Sequence, residues 1–179
     1  MSKLKEINII LRKPKLMLQL MRNYSKLLFN KNVLRNISLA LTFDCQCKCE
    51  HCFTDKLKDN SKELLKLNDF YSIIDQTASL GAIHYTITGG EPLLNKDIFK
   101  IINYINSKGL VTSINSNGLL LNEKNIVKLK QSGLDIIVIS LDGVTAKQHN
   151  KFRKCDNLFD NVIKNINLIK KHDLALFVN

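Results

Sequence analysis

The sequence predicts an α/β fold built on a parallel sheet. Three observations carry that expectation. From position 37 to the end, short apolar runs alternate with longer stretches of helical periodicity. Three of the expected helices are closed by a glycine, at Gly81, Gly109 and Gly133, the residue that most readily takes the left-handed conformation of a helix stop. The distinctive polar and glycine motifs each follow a strand directly. Strand–helix repeats imply right-handed crossovers, and near-continuous apolar strands imply that both faces are covered. In such folds the carboxyl ends of the strands form the active face, so the motifs converge on one rim.

Taken in order, residues 1–36 read as a basic helical extension and 37–179 as the domain proper. Over 15–29, Met17, Leu20, Met21, Tyr24, Leu27 and Leu28 recur at helical spacing, and Pro14 suits a first turn. This apolar stripe is expected to cover part of the domain. The sharper alternative is an interfacial helix with its apolar face in lipid and its lysines at headgroups, a peripheral membrane contact. A strand over 37–43 leads into a cysteine-rich loop. A helix over 62–80 follows, its apolar face formed by Leu64, Leu65, Phe70, Ile73, Ile74 and Ala78. The second strand, 83–88, ends in Gly89-Gly90-Glu91-Pro92, and a helix over 96–107 comes next. The third strand, 110–115, ends in Ser116-Asn117-Gly118. Asn122 caps a helix over 123–131. The fourth strand, 134–140, ends in Leu141-Asp142-Gly143. A loop carrying His149, Phe152 and Arg153 leads to a helix over 159–171 and a fifth strand over 174–178.

Composition narrows the class. The chain has 179 residues, 45% of them hydrophobic, enough for one domain with a sizeable core. Two prolines and seven glycines argue against disorder. Residues 1–36 hold nine basic residues and one acid, and so +8 of the net +11. A segment of this kind suits an acidic partner or a membrane surface, though a solvated face is the plainer reading. No aromatic interleaving supports nucleic-acid stacking, so no nucleic acid is expected. No apolar run approaches the ~20 residues of a membrane span, and no secretory signal is apparent.

Four of the five cysteines fall within eight residues, at Cys45, Cys47, Cys49 and Cys52. Bunched cysteines cannot staple distant parts of a fold; they read as a metal site in a reducing compartment, which places the protein in the cytoplasm. Cys45, Cys49 and Cys52 have the spacing C-x-x-x-C-x-x-C. Three thiolates on one tight loop can hold three corners of a four-iron, four-sulfur cube. Clusters that only carry electrons usually have every iron ligated by protein, so an open fourth iron points to chemistry there. The rival is a structural zinc module drawing four ligands from Cys45, Cys47, Cys49, His51 and Cys52. Against it, no second ligand pair lies elsewhere in the chain. Cys47 reads as a bystander pointing elsewhere, Cys155 as a small half-buried residue and His149 as a surface histidine.

Cys45-x-x-x-Cys49-x-His51-Cys52, Gly89-Gly90-Glu91-Pro92, Ser116-Asn117-Gly118 and Ser140-Leu141-Asp142-Gly143, followed by His149-x-x-Phe152-Arg153, resemble the radical S-adenosylmethionine (SAM) superfamily, and its peptide- and cofactor-maturing branch. The resemblance runs from Ile37 onward. It implies a partial (β/α) TIM-like barrel of which about five of six usual β/α units are present. It implies a [4Fe-4S] cluster on Cys45, Cys49 and Cys52, with SAM chelating the open iron. Reductive cleavage would then yield a 5′-deoxyadenosyl radical that takes hydrogen from a peptide or cofactor precursor. Gly89 and Gly90 would let backbone approach the methionine moiety, Glu91 would accept from its amino group, and Pro92 would fix the turn. Asn117 and Ser140 would bond its polar groups, Arg153 its carboxylate, and the backbone near His51 and Phe53 the adenine. An external donor such as flavodoxin or ferredoxin would supply the electron. With five units the chain is expected to be C-terminally incomplete: able to bind a cluster, weak as an enzyme alone, or an inactive truncated fragment.

Overall fold

The computed structural model describes residue 9 and residues 11–29, 32–59 and 63–179. Its centre is one parallel sheet whose spatial order is the chain order: β1 (Asn36–Ala40), β2 (His84–Thr88), β3 (Val111–Ser116), β4 (Ile136–Ile139) and β5 (Ala175–Val178). Asn36 lies opposite His84, His84 opposite Val111, Ser113 opposite Ile136 and Ile136 opposite Ala175. All five carboxyl ends therefore finish on one side. Helix α1 (Pro14–Leu28) precedes the sheet. Helices α2 (Leu67–Ser79), α3 (Ile98–Ser107), α4 (Glu123–Gln131), α5 (Ala146–Arg153) and α6 (Leu158–Lys171) fill the crossovers. This is the expected α/β architecture of a partial barrel.

The strand residues Tyr85, Ile87, Ile114, Ile137 and Ile139 are fully buried. On α3, Ile98, Ile101, Ile102 and Ile105 are all at 0% exposure; their spacing puts them on one helical face. Each such side chain contributes about 1.5–3 kcal/mol on leaving water. The apolar runs exceed the ladder by a few residues, yet main-chain bonding continues past it. Leu41 N donates to Thr88 O (3.1 Å) and Ser140 N to Ser116 O (3.1 Å). Asn122 caps α4 as expected, its side chain accepting from Asn125 N at 2.9 Å.

Three expectations need correcting. First, α2 begins at Leu67, where Lys66 N donates to the Asp69 carboxylate at 2.7 Å. Leu64 and Leu65 are exposed and outside the helix, and position 62 lies outside the described residues. Second, the stretch read as a loop is helix α5, started by Thr145, whose hydroxyl accepts from Gln148 N (3.3 Å), and ended by Lys154 at φ +47°. It buries His149 completely, with Nδ1 accepting from Asp142 N at 3.1 Å; the surface placement of His149 was wrong.

The third correction concerns α1. It crosses the amino-terminal ends of the strands and docks there through polar groups. Lys13 Nζ reaches Leu110 O (2.6 Å) and Asp135 Oδ2 (2.7 Å). Gln19 Nε2 donates to Ala78 O (3.0 Å), Asn23 Nδ2 to Gly81 O (2.7 Å) and Lys26 Nζ to Ser79 O (3.3 Å). Leu16 is buried, but Met17, Met21, Tyr24 and Leu28 face outward. The physical reason is that this end of the domain is rich in carbonyls at and just beyond the carboxyl ends of α2 and α3. Those groups need donors, which an apolar stripe cannot supply.

Candidate active site

At the opposite end of the sheet lies a cavity of about 320 Å³. Cys45, Cys49, His51 and Cys52 line it from the β1–α2 loop, Gly89 and Gly90 from the end of β2, Asn117 and Ser140 from the ends of β3 and β4, and Arg153 from α5. Thus nine of the eleven residues singled out in the sequence meet at one cavity. Glu91 and Pro92 stand behind its wall.

The walls are built by contacts between loops. Gly90 N donates to Thr42 O and Glu91 N to Asp44 O, both at 2.8 Å. A Cβ on Gly89 or Gly90 would sit 2.2 Å from the carbonyl oxygen of Thr42 or Asp44, and Gly89 has φ +125°. Glycine is required here so that the β1 and β2 loops can touch, a reason independent of any ligand. The cysteine loop is fixed from its other side by the end of α5. Lys48 N donates to Arg153 O (3.2 Å) and Glu50 N to Phe152 O (3.1 Å). His51 stacks on Phe152 with ring centroids 4.7 Å apart.

Glu91 is fully buried. It accepts from Asn117 N (2.9 Å) and Leu93 N (3.2 Å), and Ser116 Oγ lies 3.0 and 3.1 Å from its two oxygens. Burial pushes its carboxyl up to about 7, against the pull of these donors. The acid braces the β2 and β3 loops from behind the cavity, where the sequence suggested an outward reach to an amino group. Pro92 is buried and opens the short turn Pro92–Leu94.

Each of the three thiols has donors directed at it. Cys45 Sγ accepts from Cys47 N (3.4 Å) and Asn117 Nδ2 (3.5 Å), and Cys49 Sγ from Arg153 Nη1 (3.6 Å). Cys52 Sγ accepts from Asp55 N (3.4 Å) and lies 3.3 Å from Thr54 Oγ1. The Cys45 and Cys49 thiols are lowered to about 6, first by hydrogen bonding from the Cys47 thiol and against the opposing effect of burial. Cys47 is raised because it donates to both and is buried. It therefore lines the cavity beside them and does not point elsewhere, as the sequence suggested. Cys155 is half-buried, as expected.

The arrangement fits a cluster on chemical grounds: four cysteine sulfurs, those of Cys45 and Cys49 with lowered pKa values, share one polar cavity with few competing carboxylates. Sequence reasoning missed Asp142, whose carboxylate holds Arg153 Nε at 2.5 Å and so aims the guanidinium at Cys49. It also missed Phe152 as the platform for His51.

Comparisons with known proteins bear on the family and the fold. The family model described as "Radical SAM superfamily" matches residues 39–178. An AdoMet-dependent heme synthase of Methanosarcina barkeri is 30% identical over 148 residues, 83% of this chain and 42% of that protein. A probable GTP 3′,8-cyclase of Methanococcus maripaludis is 33% identical over 126 residues, 70% of this chain and 42% of that protein. The chain thus spans less than half the length of these relatives. Among solved structures, Streptococcus suis SuiB bound to precursor peptide SuiA superposes with TM-score 0.70 at 22% identity, over 82% of this chain and 32% of that one. A histidine-tagged anSMEcpe with bound AdoMet gives TM-score 0.68 at 20% identity, over 82% and 43%. With the motif cysteines, the glycine pair and the strand-end residues on one rim, and a family match across most of its length, the chain belongs to the radical SAM superfamily.

Proposed function

We propose that this chain holds a [4Fe-4S] cluster on Cys45, Cys49 and Cys52 and seats SAM in the same cavity, as part of a radical SAM enzyme. The carrying observation is that all three motif cysteines share one cavity with Gly89, Gly90, Asn117 and Ser140 at the carboxyl end of the sheet. When bound, the cluster and SAM supply radical abstraction of a hydrogen atom from a substrate. The chain's own residues fix and tune that site. Asn117, Arg153 and the amides of Cys47 and Asp55 point N–H groups at the ligand sulfurs, and such bonds to sulfur favour the reduced cluster. Gly89 and Gly90 present backbone to the cavity without side chains. Ser140 and Asn117 offer polar groups to a ligand's polar atoms, and the backbone at the stacked His51 would serve the adenine. Arg153, shared between Asp142 and Cys49, stands where a carboxylate would meet a cation. Glu91 is a positioning residue that holds the Gly-Gly turn against β3.

The substrate is a peptide or a cofactor precursor. Relatives at 30–33% identity are named for heme and GTP, which supports the cofactor-precursor arm. The electron comes from an external donor such as flavodoxin or ferredoxin. Anaerobic reconstitution with iron and sulfide, followed by electron paramagnetic resonance with and without SAM, tests the assignment. A brown protein whose cluster spectrum changes on SAM addition is the expected result. A colourless zinc protein, or a cluster indifferent to SAM, would sink it.

A further inference from the structure

We propose that α1 is a membrane-surface helix that seats this end of the domain on anionic lipid headgroups, with the cysteine cavity facing away. The inference does not depend on the cofactor chemistry, because α1 and the cavity lie at opposite ends of the sheet.

The helix shows two faces. At 100° per residue, Leu16, Gln19, Asn23 and Lys26 point to the domain, Leu16 buried and the other three bonded to its carbonyls. Tyr24, Met17, Leu28 and Met21 fall within a narrow arc on another side and are 66, 46, 66 and 54% exposed, and Leu18, at 64%, widens it. Phe29, 77% exposed, continues this surface past the last turn. The helix is thus already anchored through its polar groups, and its apolar stripe is not consumed in folding. Among the described residues, contiguous outward apolar surface of this kind marks an interaction site.

Charge identifies the partner. No acidic residue lies between Arg12 and Phe43; Lys13, Lys15 and Lys26 of that stretch turn onto Asp135 and the domain's carbonyls, and among the described residues Arg12, Arg22 and Arg35 are the exposed cations that remain. Arg22 sits exposed on the helix flank, and Arg35 borders the same apolar surface as Leu20, Met21, Tyr24 and Leu27. Apolar side chains, aromatic residues and flanking cations on one helix suit the headgroup–acyl boundary of an anionic bilayer. A 15-residue helix is about 22 Å long, suited to lying in the interface, and no helix among the described residues is long and apolar enough to cross a membrane.

The test is co-sedimentation of the 179-residue chain with phosphatidylcholine vesicles, with and without phosphatidylglycerol, at low and raised salt. Binding that requires phosphatidylglycerol and weakens with salt is expected. The double variant Met21→Glu/Leu28→Glu should lose it by more than tenfold. Arg22→Glu should lose at least about fivefold, the weight of one surface cation. All three positions are exposed, so melting temperature should stay unchanged. Equal binding to neutral vesicles, no binding to anionic ones, or an unaffected double variant overturns the proposal. So does concentration-dependent self-association abolished by Met21→Glu, which would assign the face to a second copy of the chain.

Discussion

The two ends of the sheet solve the same problem differently. Both expose main-chain and polar groups where strands and helices stop. At the amino-terminal end, α1 and the Lys13 that precedes it seal them: four polar side chains of the helix meet carbonyls, Lys13 meets a carbonyl and a carboxylate, and the Lys13–Asp135 pair is 7 and 9% exposed. At the carboxyl end, loops close on one another behind the rim, through Gly90, Glu91 and Ser116, while thiols, amides and a guanidinium remain turned toward open space. Sealing favours stability and an unsealed rim favours chemistry, the division expected of barrel-like folds.

That contrast can be broken at either end. The largest effect is expected at the rim: Cys49→Ala should lose nearly all reconstituted iron, read by iron and sulfide analysis, with little change in the melting of the apo chain. At the sealed end, Lys13→Met strands a buried carboxylate and should cost about 3–5 kcal/mol in urea unfolding. The double variant Lys13→Met/Asp135→Leu should recover part of that, because burial already raises the Asp135 carboxyl above its ordinary value, while the Thr112 amide loses its acceptor. Behind the rim, Glu91 titrates at about 7 in the folded chain against 4.5 for the free acid. Between those values the folded chain keeps a proton that the unfolded chain releases, so stability falls as pH rises, by up to about 3 kcal/mol, and then levels off. Urea midpoints across that range should show this slope in the apo chain and lose it in Glu91→Gln. The smallest effect is on the outer face of α1, where Leu18→Ala should change stability by less than about 0.5 kcal/mol, whereas buried Leu16→Ala should cost about 2 kcal/mol or more.

The sheet was legible because each strand is an apolar run set off by polar or glycine residues, and α4 because Asn122 and Gly133 bracket it. Helix α5 was hidden: its eight residues bury a single side chain, His149, and so carry almost no periodic signal. The capping pattern Thr145-x-x-Gln148 was the available clue. On α1 the periodicity was sound, but periodicity locates a face without saying which way it looks. The carbonyls that turned it outward are contributed by residues 78–110, far along the chain. At the site the cavity residues were readable as motifs, whereas Asp142, Phe152 and Cys47 act through neighbours that only folding supplies. Glu91, read as reaching outward, is turned inward, where Ser116 and the Asn117 amide engage its oxygens.

The strand order has a consequence for how such a rim can change. From the start of β1 to the start of β2 the chain runs 48 residues, Asn36 to His84, against 27 from His84 to Val111. Closing the longer connection costs only about 0.5 kcal/mol more in chain entropy. Because every strand pairs with its successor, the extra length of the cysteine loop burdens one connection and leaves the remaining registers untouched. Loops at this rim can therefore lengthen or be exchanged at small expense to folding, so one sheet can carry many different reactions.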